Sequence, residues 1–219
     1  MNDTILLENR AYWTQRAPSY SEVNREELST DRREAWKQVL VERIAARFPN
    51  REPDDIHVLE VGTGPGFFAI LLAEAGYRVT AIDLTPSMLE EARRNAGMLA
   101  DRIDFVEMNA EALGFPSESF DVILSRNVTW NLPEPQTAYG EWIRVLKPGG
   151  LYILSDTGIG GVGGWIDNHI LFRVARSGDC HTTNRHGIAR MMEKAGFTVT
   201  ESRQIQGMIY SVTGKKGAK

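Results

Sequence analysis

Glu60, Gly62, Gly64, Gly66 and Asp83 are the residues whose types and spacing point to chemistry. The glycines alternate directly after Val58 to Val61, a run whose only polar member is Glu60. Such a run reads as a strand buried on both faces. Glycines there let the backbone turn sharply and let a ligand approach with no Cβ in the way. A carboxylate at the end of a buried strand is costly unless it is paired or hydrogen-bonded. A cationic or amine-bearing ligand, or orphan loop amides, would offset that cost at Glu60. Asp83 ends a second apolar run, where a carboxylate can accept from both hydroxyls of a ribose.

The glycine spacing narrows the nucleotide. A dinucleotide fingerprint needs its third glycine where Phe67 stands, so that helix and strand can touch. The pattern here, Glu60-x-Gly62-x-Gly64-x-Gly66, offers a close-approach platform but lacks the small residue that helps a helix N-terminus meet a pyrophosphate.

The elements that must position these residues alternate along the chain. Phe67 to Ala75 is apolar nearly all round and reads as a buried helix ended by Gly76, and Arg78 to Ile82 reads as the second strand. Thr85-Pro86 marks a helix start, with Met88 to Asn95 carrying the helix to Gly97. Strands follow at Arg102 to Met108 and Phe120 to Leu124, then a helix from Glu134 to Leu146, the Lys147-Pro148-Gly149-Gly150 turn and a strand from Leu151 to Leu154. Ahead of all this, Ser29 or Thr30 could cap a helix from Asp31 to Phe48 with Trp36, Val39, Leu40, Ile44 and Phe48 near one face. At the other end, helices are expected over Trp165 to Arg176 and Asn184 to Lys194, and a strand pair over Phe197 to Glu201 and Met208 to Thr213.

ExGxGxG with Asp83 downstream, together with the run from Phe120 through Gly150, resembles class I S-adenosylmethionine-dependent methyltransferases, in particular their small-molecule branch. The resemblance implies one domain, 1–219: an N-terminal helical cap (1–50), a cofactor-binding core (51–156), and a substrate-side insertion with the final strands (157–219). It implies a doubly wound, mostly parallel seven-stranded α/β sheet. It also implies S-adenosyl-L-methionine as cofactor, S-adenosyl-L-homocysteine as product, and a small-molecule acceptor as partner. Glu60, Gly62, Gly64 and Gly66 would hold the methionine end, Asp83 and Leu84 the ribose, and Met88, Asn109, Ala110 and Glu111 the adenosine side. Family members commonly carry an acid where Asn109 stands, but an amide oxygen can accept the same hydrogen bond; Asn109 could equally cap a short helix over Ala110 to Leu113. The Ser125 and Arg126 backbone would face the sulfonium.

The aromatic segment Tyr12-Trp13-x-x-Arg16-Ala17-x-x-Tyr20 either packs down on the core or forms a lid, with Tyr20 or Arg16 reaching the ligand. Tyr12, Trp13, Trp130, Asn131 and Trp165 are expected at the acceptor. Many relatives have histidines where Trp130 and Asn131 stand, so His169 and His181 are left as candidate bases near neutral pH. Cys180, His181 and His186 match no zinc spacing, and no metal is expected.

Composition sets outer bounds. A net charge of −4 gives no basic field for nucleic acid. A lone cysteine, Cys180, excludes an internal disulfide framework. No apolar run reaches membrane-spanning length, and Met1 to Arg10 lacks a signal peptide's pattern, so a cytoplasmic location is expected. Two other functions stay open: a nucleotide-dependent oxidoreductase, and a non-catalytic binder of S-adenosylmethionine.

Overall fold

The computed structural model describes residues 2–157, 190, 192–205 and 209–216. The α-helices α1 (Asn2–Leu28), α2 (Arg32–Arg47), α3 (Phe67–Glu74), α4 (Pro86–Ala96) and α5 (Pro135–Val145) pack around a sheet. Its strands are β1 (His57–Val61), β2 (Arg78–Asp83), β3 (Ile103–Glu107), β4 (Phe120–Arg126), β5 (Leu146–Thr157), β6 (Phe197–Ile205) and β7 (Ile209–Lys216). They lie in the order β3-β2-β1-β4-β5-β7-β6. The first five are parallel, and β7 runs antiparallel between β5 and β6. The expected seven-stranded, mostly parallel sheet is what forms.

Each face of the sheet has its own apolar layer. On one, Trp36, Leu40 and Ile44 of α2 and Phe67 to Ala73 of α3 pack over Val58, Val79 and Val122. On the other, Tyr139 and Trp142 of α5 pack over Leu59, Ile123 and Tyr152. Strands covered on both faces lack alternation, as β1 shows. The sheet order reverses between β1 and β4, and a ligand of an open α/β sheet binds at such a switch point, beyond the carboxyl ends of the strands.

Three details depart from the sequence reading. Ser29 and Thr30 do not cap α2: their hydroxyls donate back to the carbonyls of Glu26 (2.7 Å) and Glu27 (2.8 Å), closing α1 instead. Lys147 to Gly150 is no free turn but belongs to β5, which pairs Leu146 with Phe120 and then shifts register to pair Leu151 with Val122. Such an irregularity bends a strand while keeping its pairing. No helix follows Asn109, which begins a turn closed by the Ala112 N–H donating to its carbonyl at 3.1 Å.

Candidate functional site

A cavity of about 970 Å³, counting its open mouth, lies where the switch point predicts. It crosses the strand ends in sheet order. Met108, Asn109 and Ala110 follow β3; Asp83 ends β2, with Leu84 and Thr85 just beyond; Gly62 to Pro65 follow β1; Arg126 ends β4, with Asn127 and Val128 just beyond. Asn131, Leu132 and Pro133 carry the wall further, Met88 of α4 lines one side, and α1 roofs the space with Leu6, Asn9, Trp13, Tyr20 and Asn24.

The turn after β1 owes its shape to glycine. Gly62 and Gly64 have φ of +69° and +52°, a region that other residues rarely enter. Asp83 ties that turn to β2, accepting from the Gly64 N–H (Oδ2, 2.9 Å) and from the Thr85 N–H (Oδ1, 2.9 Å). Burial pushes the Asp83 carboxyl up from its ordinary range, and the backbone N–H donors pull it back down.

Glu60 is buried and accepts from the Thr63 hydroxyl at 2.7 Å. Burial pushes its carboxyl up to about 7, against the opposing pull of that hydroxyl, a backbone N–H at Ala69 and the Arg126 charge. A carboxyl held there is ready to ionise when a cation arrives. Arg126 itself is committed elsewhere: its guanidinium pairs with Glu27 of α1 at 2.7 Å and lies over the rings of Phe67, Phe68 and Trp36.

The α1 roof is held by polar contacts. Asn9 donates to the Asn131 carbonyl (2.9 Å), Arg10 pairs with Glu107 (2.7 Å), and Asn95 of α4 donates to both the Ser21 hydroxyl (3.0 Å) and the Pro65 carbonyl (3.0 Å). Tyr20 lies over the glycine turn, its ring 3.7 Å from where a Cβ on Gly64 would stand. Two acceptors on the cavity wall, Asn24 Oδ1 and Asn131 Oδ1, are buried without a hydrogen-bond partner.

Of the residues singled out from sequence, Trp13, Tyr20, Glu60, Gly62, Gly64, Asp83, Leu84, Met88, Asn109, Ala110, Arg126 and Asn131 meet in this one cavity. Others do not. A Cβ on Gly66 would meet Ala92 Cβ at 3.1 Å, so this glycine lets α3 and α4 approach, the packing role that Phe67 could not fill. Glu111 turns away to accept from the Glu134 N–H at the start of α5. β4 runs two residues further than expected, burying the Ser125 hydroxyl against Tyr152 (3.2 Å). Tyr12 packs edge-on against Trp13 outside the lining. Asn109 lines the cavity, but its Oδ1 already accepts from the Glu111 N–H at 3.0 Å. Trp130 falls in a short 3₁₀ turn, Thr129–Asn131. Trp165, His169, Cys180, His181 and His186 lie outside the described residues.

Sequence reasoning missed Asn9, Asn24 and Met108, while Val128 falls in the loop from Ser125 to Leu132 expected as the floor of the site. The two asparagines were within reach: each stands one helical turn from an aromatic already singled out, Asn9 from Trp13 and Asn24 from Tyr20. What the sequence did not show is that a Val128 methyl comes within 2.4 Å of a Cβ placed on Gly62, a contact made only through the tertiary fold.

The sheet order, glycine turn and strand-end cavity define a doubly wound α/β fold with a ligand-sized cavity at its switch point. Residues 59–154 match the family described as methyltransferase domain. This segment is similar to class I S-adenosylmethionine-dependent methyltransferases. An uncharacterized methyltransferase of Mycobacterium avium is 39% identical over 100 residues, 46% of this chain and 39% of its own length. A ubiquinone/menaquinone biosynthesis C-methyltransferase of Bradyrhizobium sp. is 34% identical over 131 residues, 58% of this chain and 51% of its own. The chain thus spans about half or less of these curated relatives. A SAM dependent methyltransferase from Aquifex aeolicus shares the fold at a TM-score of 0.64 and 18% identity, over 81% of this chain and 88% of that one. Among the described residues, no helix is long and apolar enough to cross a membrane.

Proposed function

We propose that this protein transfers the methyl group of S-adenosylmethionine to a small-molecule acceptor by direct in-line displacement. The observation that carries this is the order of groups along the cavity: Asn109, then Asp83, then the glycine turn with Glu60, across adjacent strand ends. That order suits an adenosine followed by a cationic amino-acid end. When bound, S-adenosylmethionine supplies a methyl group already activated by its sulfonium. The residues of this chain then have to bind, orient and exclude water, and positioning alone can account for much of the acceleration.

Asp83 would accept from the ribose hydroxyls and Glu60 would balance a positive charge. Trp13 and Tyr20 on α1 would close the space above. Leu6, Trp13, Leu132 and Pro133 give the far end an apolar wall, which suits an apolar-faced acceptor. The similarity to C-methyltransferases of quinone biosynthesis supports carbon as one candidate acceptor atom. His169 and His181 remain the candidate bases, and reaction within the cytoplasm remains the expected setting.

Titration calorimetry tests the reading. S-adenosylhomocysteine should bind and NAD should not, and Asp83→Ala should weaken binding by about 1.5–3 kcal/mol, the range for hydrogen bonds to charged groups. Binding of NAD alone would move the protein to the oxidoreductases. Cofactor binding with no labelled methyl transfer to any fraction of a cell extract would favour a non-catalytic binder.

A further inference from the structure

Asn24 has a role that neither the glycine motif nor the strand-end acids supply. Only 7% of its surface is exposed, it lines the cavity, and its Oδ1 is buried with no hydrogen-bond partner. A buried amide oxygen left without a donor is destabilising, so in a folded protein it marks a place where something else donates.

Its position says which part of a ligand that is. Asn24 follows Tyr20 by one helical turn and precedes Glu27 by another, on one face of α1. Tyr20 lies over Gly64, and Glu27 pairs with Arg126 at the end of β4. Asn24 is therefore held above the β1–β4 side of the cavity, the side of Glu60, and away from Asn109 and the β3 end. The other acceptors here are spoken for only in part: Glu60 accepts from the Thr63 hydroxyl and a backbone N–H at Ala69, which leaves its carboxylate able to take more.

We propose that Asn24 is a specificity residue for the amino-acid end of the ligand, its Oδ1 accepting from a protonated amine that Glu60 neutralises from the opposite wall. Resting on the methyltransferase reading, this makes the α1 roof a reader of the amine and not only a cover. The site then distinguishes adenosyl thioethers that carry an amine from those that lack one.

The test is calorimetry of wild type, Asn24→Ala and Asn24→Asp with three probes. S-adenosylhomocysteine carries amine and carboxylate, decarboxylated S-adenosylmethionine keeps the amine, and 5′-methylthioadenosine has neither. Asn24→Ala should weaken the first two by about tenfold or more, as expected for a hydrogen bond to a charged group, and leave methylthioadenosine within about twofold. Asn24→Asp should restore the first two. Unchanged methylthioadenosine binding also shows that the variant is folded. An equal loss for all three probes, no loss for any, or a loss confined to S-adenosylhomocysteine would each overturn the assignment. Wild type that binds none of the three removes the methyltransferase reading as well. Wild type that binds them with Asn24→Ala unaffected removes this inference alone.

Discussion

Two helices bound the same cavity and are held by opposite physics. In α3 every residue from Phe67 to Ala73 is buried, and Phe68 packs edge-on against Trp36 with ring centroids 5.2 Å apart. In α1 the buried positions are Asn9, Ala17, Ser21 and Asn24, joined to the core by amides, hydroxyls and ion pairs. Apolar burial is non-directional and persistent, whereas each exchanged hydrogen bond adds only about 0.5–1.5 kcal/mol because water can replace it. The floor beside the glycine turn is thus permanent. The roof is therefore expected to open at modest cost.

Substitutions that remove one contact from each helix would break this comparison if they cost the same. Phe68→Ala should destabilise the protein by about 3–5 kcal/mol, as for other buried phenylalanines. Ser21→Ala, equally buried but polar, should cost about 1 kcal/mol. Urea denaturation gives both numbers. A Ser21→Ala loss matching that of Phe68→Ala would mean that α1 is a fixed part of the core.

Between the helices sits Glu60, whose buried carboxyl is raised to about 7 from an ordinary 4.5. A folded value above the unfolded one means that the stability tied to Glu60 is full below pH 4.5 and is lost as pH rises through 7. With no ligand bound, the protein should lose roughly 3 kcal/mol by this route between those limits. Glu60→Gln should remove that slope, melting higher than wild type at pH 8 while binding S-adenosylhomocysteine more weakly. An unaltered slope in the variant would place the titration elsewhere. Ligand binding should also release a proton near pH 6.5, readable from the buffer dependence of the binding enthalpy.

The smallest effect sharpens the comparison most. Hydrogen exchange over residues 8 to 24 should slow when S-adenosylhomocysteine is added, while residues 67 to 74 stay equally protected with and without it. Tyr20→Phe should lose about 0.5–1.5 kcal/mol of binding if its hydroxyl meets the ligand. No change in either measurement would leave α1 a passive cover.

The same contrast governs what could be read from sequence. β1, α3 and β2 were legible because full burial writes itself as unbroken apolar runs, and the glycines with Asp83 located the cavity. α1 was legible only through Trp13 and Tyr20; its inward Asn9, Ser21 and Asn24 were not, because such residues ordinarily signal solvent. Gly66 was legible as glycine but not as the contact with Ala92, since only the packing of α3 on α4 brings them together. Local signals also competed: Ser29 and Thr30 could serve the helix before them as well as the one after, and sequence does not say which.

The contact between Val128 and Gly62 bears on how such a site could be altered by selection. Gly62 is held at φ +69°, and a Cβ there would stand 2.4 Å from a Val128 methyl, so that position is closed to change from both backbone and neighbour. Val128 has no such restriction on becoming smaller. Variation is then channelled into the segment that begins at Val128 and includes Asn131, Leu132 and Pro133. A library confined to those four positions should yield altered acceptor preference at undiminished cofactor affinity, whereas one centred on the glycine turn should yield mostly inactive clones.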